Sequence, residues 1–386
     1  RAGLLRSATS CHGVRHRVAT APDCPISNLM SLFFQRFLLV LPVLGWALLA
    51  AGALGFGAPA VSALTLGVLV LAAVHHAEVV AHRLGEPFGT LILAVSVTVI
   101  EVGLIISLML ASPETATTLA RDTVFAASMI ILNLLLGLCL LVGARHQEEA
   151  RFTRTGATAA LSTLATLLVL TLILPNFTTS VSGPVFSASQ LAFVAAFALL
   201  LYLTFVFVQT VANRDYFLPQ GDLQFEPDAH ALPPTNRAAG LSFAALLISL
   251  GAIVLLAKGL SEPLEMAITR AGAPVALVGI AIAAIVLLPE GLAAIRAANA
   301  NRLQTSLNLA LGSALATIGL TIPSVAVVSF WLDLPLTLGL DSKGIVLLAL
   351  SLFVAALSLA RGRTTMLHGA VHLTIFGGYI VLTILP

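Results

Sequence analysis

The sequence has little charge. Lys, Arg, Asp and Glu make up 9% of the 386 residues, against about a quarter in soluble globular proteins. Hydrophobic residues make up 59%, which excludes a soluble globular domain and indicates a protein with several membrane spans. The net charge of +2 gives no basic surface for nucleic acid. The partners expected from composition are therefore the lipid bilayer and small ions, and the oligomeric state is left open.

Cysteine is also scarce. Cys11, Cys24 and Cys139 show no CxxC spacing, which excludes a disulfide framework and a cysteine zinc site. The His-His-x-Glu order at residues 75–78 is not the HExxH order of zinc hydrolases. No nucleophile–base pair stands out within the apolar runs. An intramembrane enzyme is therefore the least favoured function, and no cofactor is expected.

Long apolar runs are what the sequence does contain. A transmembrane helix needs about 20 predominantly apolar residues, and eleven runs approach or exceed that length. The predicted fold is an all-α polytopic membrane protein with about 11 transmembrane helices. The runs are Leu32–Leu54, Pro59–Val80, Phe88–Leu110, Asp122–Val142, Ala157–Leu174, Ala188–Val211, Ala238–Leu256, Pro274–Ala294, Ser306–Val328, Gly344–Leu359 and Met366–Leu385.

The residues before the first run differ from the rest of the chain. Residues 1–30 carry several arginines and no apolar periodicity, and the first methionine is Met30. We expect this leader to be disordered or to be an upstream extension, and an Arg-rich transit peptide is the alternative. The run that follows, within residues 31–56, is predicted to be an extra first transmembrane helix.

Basic residues are distributed unevenly between alternate loops. With the amino terminus inside, 15 of the 19 Lys and Arg residues fall on the inner side. The positive-inside rule then places the protein in the cell inner (plasma) membrane with a cytoplasmic amino terminus. An odd number of spans places the carboxyl terminus on the periplasmic side.

The ten runs after the first divide into two halves of five. Glu101 lies in the second run of the first half and Glu290 in the second run of the other half, and both runs begin with Gly-x-Pro. Because five is odd, the halves must enter the membrane from opposite sides, which predicts two inverted repeats of the secondary-transporter kind. The predicted limits are 57–211 for the first repeat, 212–237 for a cytoplasmic acidic linker loop, and 238–386 for the second repeat.

Glu101 and Glu290 are the predicted ligands for cations and protons. A charged side chain at the bilayer centre costs about 2.5–3.5 kcal/mol on insertion scales, so an acid there indicates function. Two carboxylates facing one another in low dielectric repel. One divalent cation neutralises both, and so do two protons. Either loaded state can therefore cross the membrane barrier more easily than the empty, doubly charged state.

Two features beside the glutamates extend the predicted site. Pro289 precedes Glu290 and cannot donate to the carbonyl of Ile285, which leaves an oxygen of the kind that Ca²⁺ or Na⁺ prefers. The alternative is a kink that serves packing only. Thr98 lies three residues before Glu101, on the same helix face. Its hydroxyl is predicted either to bind the cation or to bond back to its own helix.

The next run of each half is predicted to complete the site. Asn133 and Ser128 lie one turn apart near the middle of the fourth run. Ser313 and Thr317 lie at a comparable depth of the ninth run, where Gly312 is expected to let helices approach closely.

A second group of polar residues lies at the inner ends of the runs. They are predicted to form a cytoplasmic vestibule that attracts cations and relays protons; a role in solvation is the alternative. The group consists of Glu86, Glu78, His76 and His82. His368 and His372 have the i, i+4 spacing of a metal pair, but we expect them to be solvated at the membrane interface.

Three segments resemble a known family. They read EPFGTLILAVSVTVIEV, LPEGLAAI with NLALGSALATIGLTIP, and GRTTMLHGAVHL. They are similar to the ChaA-type calcium/cation–proton antiporters of the Ca²⁺:cation antiporter superfamily. The resemblance implies an inverted five-plus-five helix fold and export of Ca²⁺, Na⁺ or K⁺ against protons. It also implies that Glu101, Glu290 and Asn133 match family site residues.

The predicted function is therefore secondary active transport. The chain is expected to export Ca²⁺, or Na⁺ or K⁺, in exchange for protons by alternating access at Glu101 and Glu290. The alternative is a cation channel or cation-selective permease without proton coupling, which would carry current without proton flux.

Overall fold

The computed structural model describes residues 25–385, apart from 54–57, 85–95, 97, 107–108, 110–112, 146–148, 219–233, 271, 273, 275 and 333–335. The chain divides into two units between Leu38 and Leu39. The predicted leader lies mainly outside the described residues, and helix begins at Pro25.

The described residues are almost entirely helical, and we number eleven helices in chain order. In a bilayer every backbone N–H and C=O needs a partner within the protein, and a helix provides one inside each segment. The helices are α1 Pro25–Ala53, α2 Pro59–Leu84, α3 over 98–106, α4 (Pro113–Met129, a π-helical turn Ile130–Leu135, and Leu136–Gly143), α5 (Arg154–Leu168, a π-helical turn Val169–Ile173, and a 3-10 turn Leu174–Phe177), α6 (Ala188–Phe207 and a π-helical turn Val208–Ala212), α7 Asn236–Arg270, α8 Ala276–Asn299, α9 Leu303–Leu332, α10 Ser342–Leu359 and α11 Met366–Ile384.

The prediction of an all-α polytopic membrane protein is confirmed. In the described part of the chain, nine helices are long and apolar enough to cross a membrane, and each overlaps one of the predicted runs. The run Leu32–Leu54 falls almost wholly within α1, whose shorter apolar stretch is Leu38–Gly52. The run Phe88–Leu110 lies largely outside the described residues, with 98–106 helical.

Helix packing centres on α4 and α9. Helix α9 packs against α5, α6 and α8, and α4 packs against α8, α10 and α11. In the predicted repeats, each helix of the first half corresponds to the helix five places later in the chain: α4 to α9, α5 to α10 and α6 to α11. The packing of α9 on α6 thus has its counterpart in the packing of α11 on α4. Helices α2 and α7 are counterparts as well, and they pack mainly on each other.

Two short pairings between loops obey the same shift. The strands β1 (Ala150–Arg151) and β2 (Arg363–Thr364) pair antiparallel, and they join the α4–α5 connection to the α10–α11 connection. A single bridge, Val185 to Thr337, joins the α5–α6 connection to the α9–α10 connection. The connection five helices after α4–α5 is α9–α10, and the connection five helices before α10–α11 is α5–α6. The single bridge therefore corresponds to the strand pair and lies at the other end of α5. This reciprocity is what an inverted repeat requires; the limits 57–211 and 238–386 stay predictions.

Close helix crossings occur at glycines. A Cβ added to Gly369 on α11 would lie 2.7 Å from the carbonyl oxygen of Gly137 on α4. A Cβ on Gly319 of α9 would lie 2.5 Å from the Cβ of Tyr202 on α6. Gly312, which was expected to provide a close approach, has nothing within 4 Å of its added Cβ. That expectation was wrong because α9 makes its close crossing two turns further along.

We expect Gly369→Ala to destabilise the protein by about 1–3 kcal/mol, because the added methyl group meets backbone atoms that cannot rotate away. The measurement is the midpoint of thermal unfolding of the purified protein in detergent. Gly377→Ala is the matched control on the same helix, since nothing lies within 4 Å of its added Cβ. Equal midpoints for the two variants would contradict the crossing of α4 and α11.

Candidate functional site

Glu101 is an almost completely buried acid in α3. Its exposed fraction is 2%, and its Oε2 atom has no hydrogen-bond partner among the described residues. A buried ionised carboxylate is expensive unless it is paired or hydrogen-bonded. The unpartnered oxygen therefore marks a place where a cation or a proton would relieve a large free-energy cost.

Two threonines of α9 lie beside the Glu101 carboxylate. Thr317 and Thr321 are one helical turn apart on the same face, and both hydroxyls act on the carboxylate as hydrogen-bonding groups. Under strict distance and angle criteria, Thr321 Oγ1 has no hydrogen-bond partner among the described residues, so its interaction with Glu101 is the weaker kind. Sequence reasoning predicted Thr317 and missed Thr321. The i, i+4 spacing of the two threonines was the signal that would have found it.

Glu290 is the second predicted glutamate. It lies within α8, directly after Pro289. The side chain as a whole is partly buried, but Oε2 is inaccessible and has no partner among the described residues. The Glu290 carboxylate is close enough to act electrostatically on Glu101. Two predicted glutamates that are almost 190 residues apart in the chain are therefore within electrostatic range of each other.

Helix α4 contributes the amide predicted for this site. Asn133 lies in the π-helical turn and is 0% exposed. Its Nδ2 atom donates to Ser351 Oγ at 2.8 Å, and its Oδ1 atom has no partner among the described residues. The turn packs against α8, where Leu135 lies 3.8 Å from a Cβ added to Gly291, the residue after Glu290.

The remaining predicted ligands are held in several ways. Ser128 is buried and donates to the carbonyl of Val124 in its own helix at 2.7 Å, which leaves its lone pairs available. Thr98 is buried, whereas Ser313 is partly buried. Ile285 is partly buried in α8, and Pro289, four residues later, has no N–H for its carbonyl. Their roles as ligands stay predictions.

The available donors at this site are oxygens. Among the described residues, no group of three or more His, Cys, Asp or Glu side chains is placed to hold a metal ion. A cation between Glu101 and Glu290 would therefore need hydroxyl, amide or carbonyl oxygens to complete its coordination. Such a set suits hard cations such as Ca²⁺ and is unsuited to soft metals.

The residues predicted to form a cytoplasmic vestibule do not share one environment. Glu78 is exposed and acts electrostatically on Glu290 and Arg296. His76 is 2% exposed and faces Ser242 of α7, with Nδ1 3.4 Å from Oγ. His82 is exposed. Glu86 lies outside the described residues. Of this group, Glu78 is the member that the structure connects with the buried glutamates.

The expectation that His372 is solvated was wrong. His372 is 0% exposed, and its Nε2 atom lies 3.1 Å from Ser358 Oγ on α10. His368 is partly buried and caps the start of α11 through Thr365. The i, i+4 spacing identified a shared helix face correctly. The crossing of α11 with α4 and α10 then buried one histidine and left the other near the helix end.

Comparison with known proteins gives consistent matches over nearly the whole chain. The profile of the family described as "Sodium/calcium exchanger protein" matches residues 54–211 and 241–385. The protein y4hA of Sinorhizobium fredii, whose name describes an ionic transporter, is 47% identical over 317 residues, or 82% of this chain and 86% of that protein. The sodium-potassium/proton antiporter ChaA of Escherichia coli is 34% identical over 350 residues, or 89% of this chain and 94% of ChaA.

A solved structure has the same fold. The H⁺/Ca²⁺ exchanger CAX matches with a TM-score of 0.69 at 16% identity, over 90% of this chain and 88% of that one. At this identity the likeness concerns the fold.

We expect Thr321→Val to weaken cation binding at the glutamate pair about three- to tenfold, the effect of losing one hydrogen bond or ligand contact. The measurement is cation-dependent thermal stabilisation of the purified protein. Ser324→Ala is the control, because Ser324 lies on the same helix and donates only to the carbonyl of Leu320. Wild-type affinity in Thr321→Val would show that this hydroxyl takes no part in the site.

Proposed function

The chain belongs to the sodium/calcium exchanger protein family, and from that premise we propose that it exports Ca²⁺, or Na⁺ or K⁺, in exchange for protons. Glu101 and Glu290 are the shared ligands for cation and proton. Thr317, Thr321 and Asn133 are proposed to supply further oxygens. The observation that supports the proposal is the electrostatic interaction of two acids, each of which has an inaccessible carboxylate oxygen without a hydrogen-bond partner among the described residues.

Proton coupling follows from charge. The empty pair has two negative charges in a region of low dielectric, where each also repels the other. A divalent cation or two protons reduce the net charge of the pair to zero. The protein then changes its access from one side to the other more easily when loaded than when empty. If the protein changes access only when the pair is neutralised, every cation carried in one direction is exchanged for protons carried in the other.

The identity of the cation depends on how the pair is neutralised. A divalent ion balances both carboxylates, whereas with a monovalent ion one glutamate keeps a proton. The names of the relatives include both possibilities: ChaA is a sodium-potassium/proton antiporter and CAX an H⁺/Ca²⁺ exchanger. Both names include protons, which supports proton coupling in this chain.

The proposed orientation places the amino terminus in the cytoplasm and the carboxyl terminus in the periplasm, within the inner membrane. The support is the distribution of arginines, because inner loops carry most of the basic residues. We expect alkaline phosphatase fused after Leu385 to be active, since this enzyme folds only outside the cytoplasm. An inactive fusion, with activity recovered by a cytoplasmic reporter at the same point, would reverse the orientation.

The central test is exchange in inverted membrane vesicles. A pH gradient, acid inside, should drive Ca²⁺ or Na⁺ uptake, and Glu101→Gln or Glu290→Gln should lower the uptake at least a hundredfold, because an amide can neither release a proton nor balance a cation. Uptake is measured with a radioactive cation, and proton efflux with a pH-sensitive dye.

Glu149→Gln is the matched control, because Glu149 is an exposed acid that pairs with Arg363 beside the loop pairing. It should exchange at the wild-type rate. Wild-type exchange in both buried-glutamate variants would reject the assignment of the site. Cation flux that proceeds without any proton movement would instead support a channel or an uncoupled permease.

A further inference from the structure

A buried polar contact joins the α4 turn to α10. Asn133 Nδ2 lies 2.8 Å from Ser351 Oγ, and both residues are 0% exposed. The contact links residues 218 positions apart. Neither the sequence pattern nor the function proposed above assigns a role to Ser351.

The Ser351 hydroxyl determines which way the Asn133 amide faces. Ser351 Oγ donates its single hydrogen to the carbonyl of Leu347 in its own helix at 2.7 Å. The sulfur of Met129, 3.6 Å away, is a weaker acceptor. With its hydrogen committed, the Ser351 oxygen can only accept from Asn133. The amide must therefore present its NH₂ group to Ser351, because the opposite orientation would bring two oxygens together.

The consequence is an oriented oxygen. With Nδ2 bound to Ser351, the Oδ1 atom of Asn133 lies on the other side of the amide, and no described residue satisfies it. A buried carbonyl without a partner is costly. The turn that carries Asn133 also packs against α8 and α9, the helices of Glu290 and Thr317.

We propose that Ser351 is a positioning residue, which holds the Asn133 amide so that its oxygen, and not its NH₂ group, is offered to the transported cation. This inference rests on the proposed function and adds a helix, α10, that carries no cation ligand itself. An amide that is free to turn would present a positive NH₂ edge to the cation for part of the time, and the cation would bind more weakly.

The first test is Ser351→Ala. We expect KM for the cation to rise about three- to tenfold with kcat unchanged, which corresponds to the loss of one orienting hydrogen bond. Ser351→Thr keeps the hydroxyl and should restore KM. Ser249→Ala is the matched control: Ser249 is also 0% exposed and also donates back to its own helix, to the carbonyl of Ala245, but has no part in the site.

The second test separates orientation from packing. In an Asn133→Asp background the side chain has two equivalent oxygens, so Ser351→Ala should change cation binding less than twofold. Calorimetry with Ca²⁺ and with Na⁺ measures binding without requiring transport. If Ser351→Ala lowers the cation affinity equally with Asn133 present and in the Asn133→Asp background, the proposal is overturned. A role of Ser351 in packing would not depend on the amide.

The two proposals fail in different ways. If Ser351→Ala keeps the wild-type KM while Glu101→Gln abolishes exchange, the positioning role is rejected and the exchanger stands. If the wild-type protein exchanges none of the three cations for protons, the proposed function itself is rejected.

Discussion

Glu101 and Glu290 interact electrostatically within a protein of apolar helices, and the rest of the structure has to accommodate their charge. A single charged side chain at the bilayer centre costs about 2.5–3.5 kcal/mol on insertion scales. Two like charges in a region of low dielectric also repel each other. These terms are too large to leave uncompensated in a protein of ordinary stability. Under the proposed function, a cation or protons bound at Glu101 and Glu290 remove this cost.

The two halves of the fold have the same order of helices, and each half contributes one of these glutamates. Each glutamate comes from the second helix of a five-helix half, and each half packs its third helix against the other half. Two loop pairings at opposite ends of α5 also join one half to the other. One is between β1 and β2, and the other is between Val185 and Thr337. A site at the interface between such halves is equally related to both membrane surfaces, which is the geometry that alternating access needs.

Hydroxyl and amide groups around the pair differ in how firmly they are held. Ser128 bonds to its own helix, and the Thr321 hydroxyl remains without a good partner. Asn133 is fixed from behind by Ser351. Polar groups that lack hydrogen-bond partners are costly inside a membrane, because no water is present there to bond with them. Glu101, Glu290 and Asn133 each have an inaccessible oxygen without a hydrogen-bond partner among the described residues, which supports the cation site proposed above.

The sequence by itself determined the class of protein, most of the spans and the two acids. Apolar length and rare buried charge are local properties, and a bilayer imposes them on each segment separately. Only the tertiary structure placed Thr321 beside Glu101, set the Asn133 amide against Ser351, and buried His372 when its sequence position suggested solvation. Each of these depends on which face of one helix meets which face of another. Helix crossings bring together residues that are far apart in the chain, and no single segment contains the information about its partner.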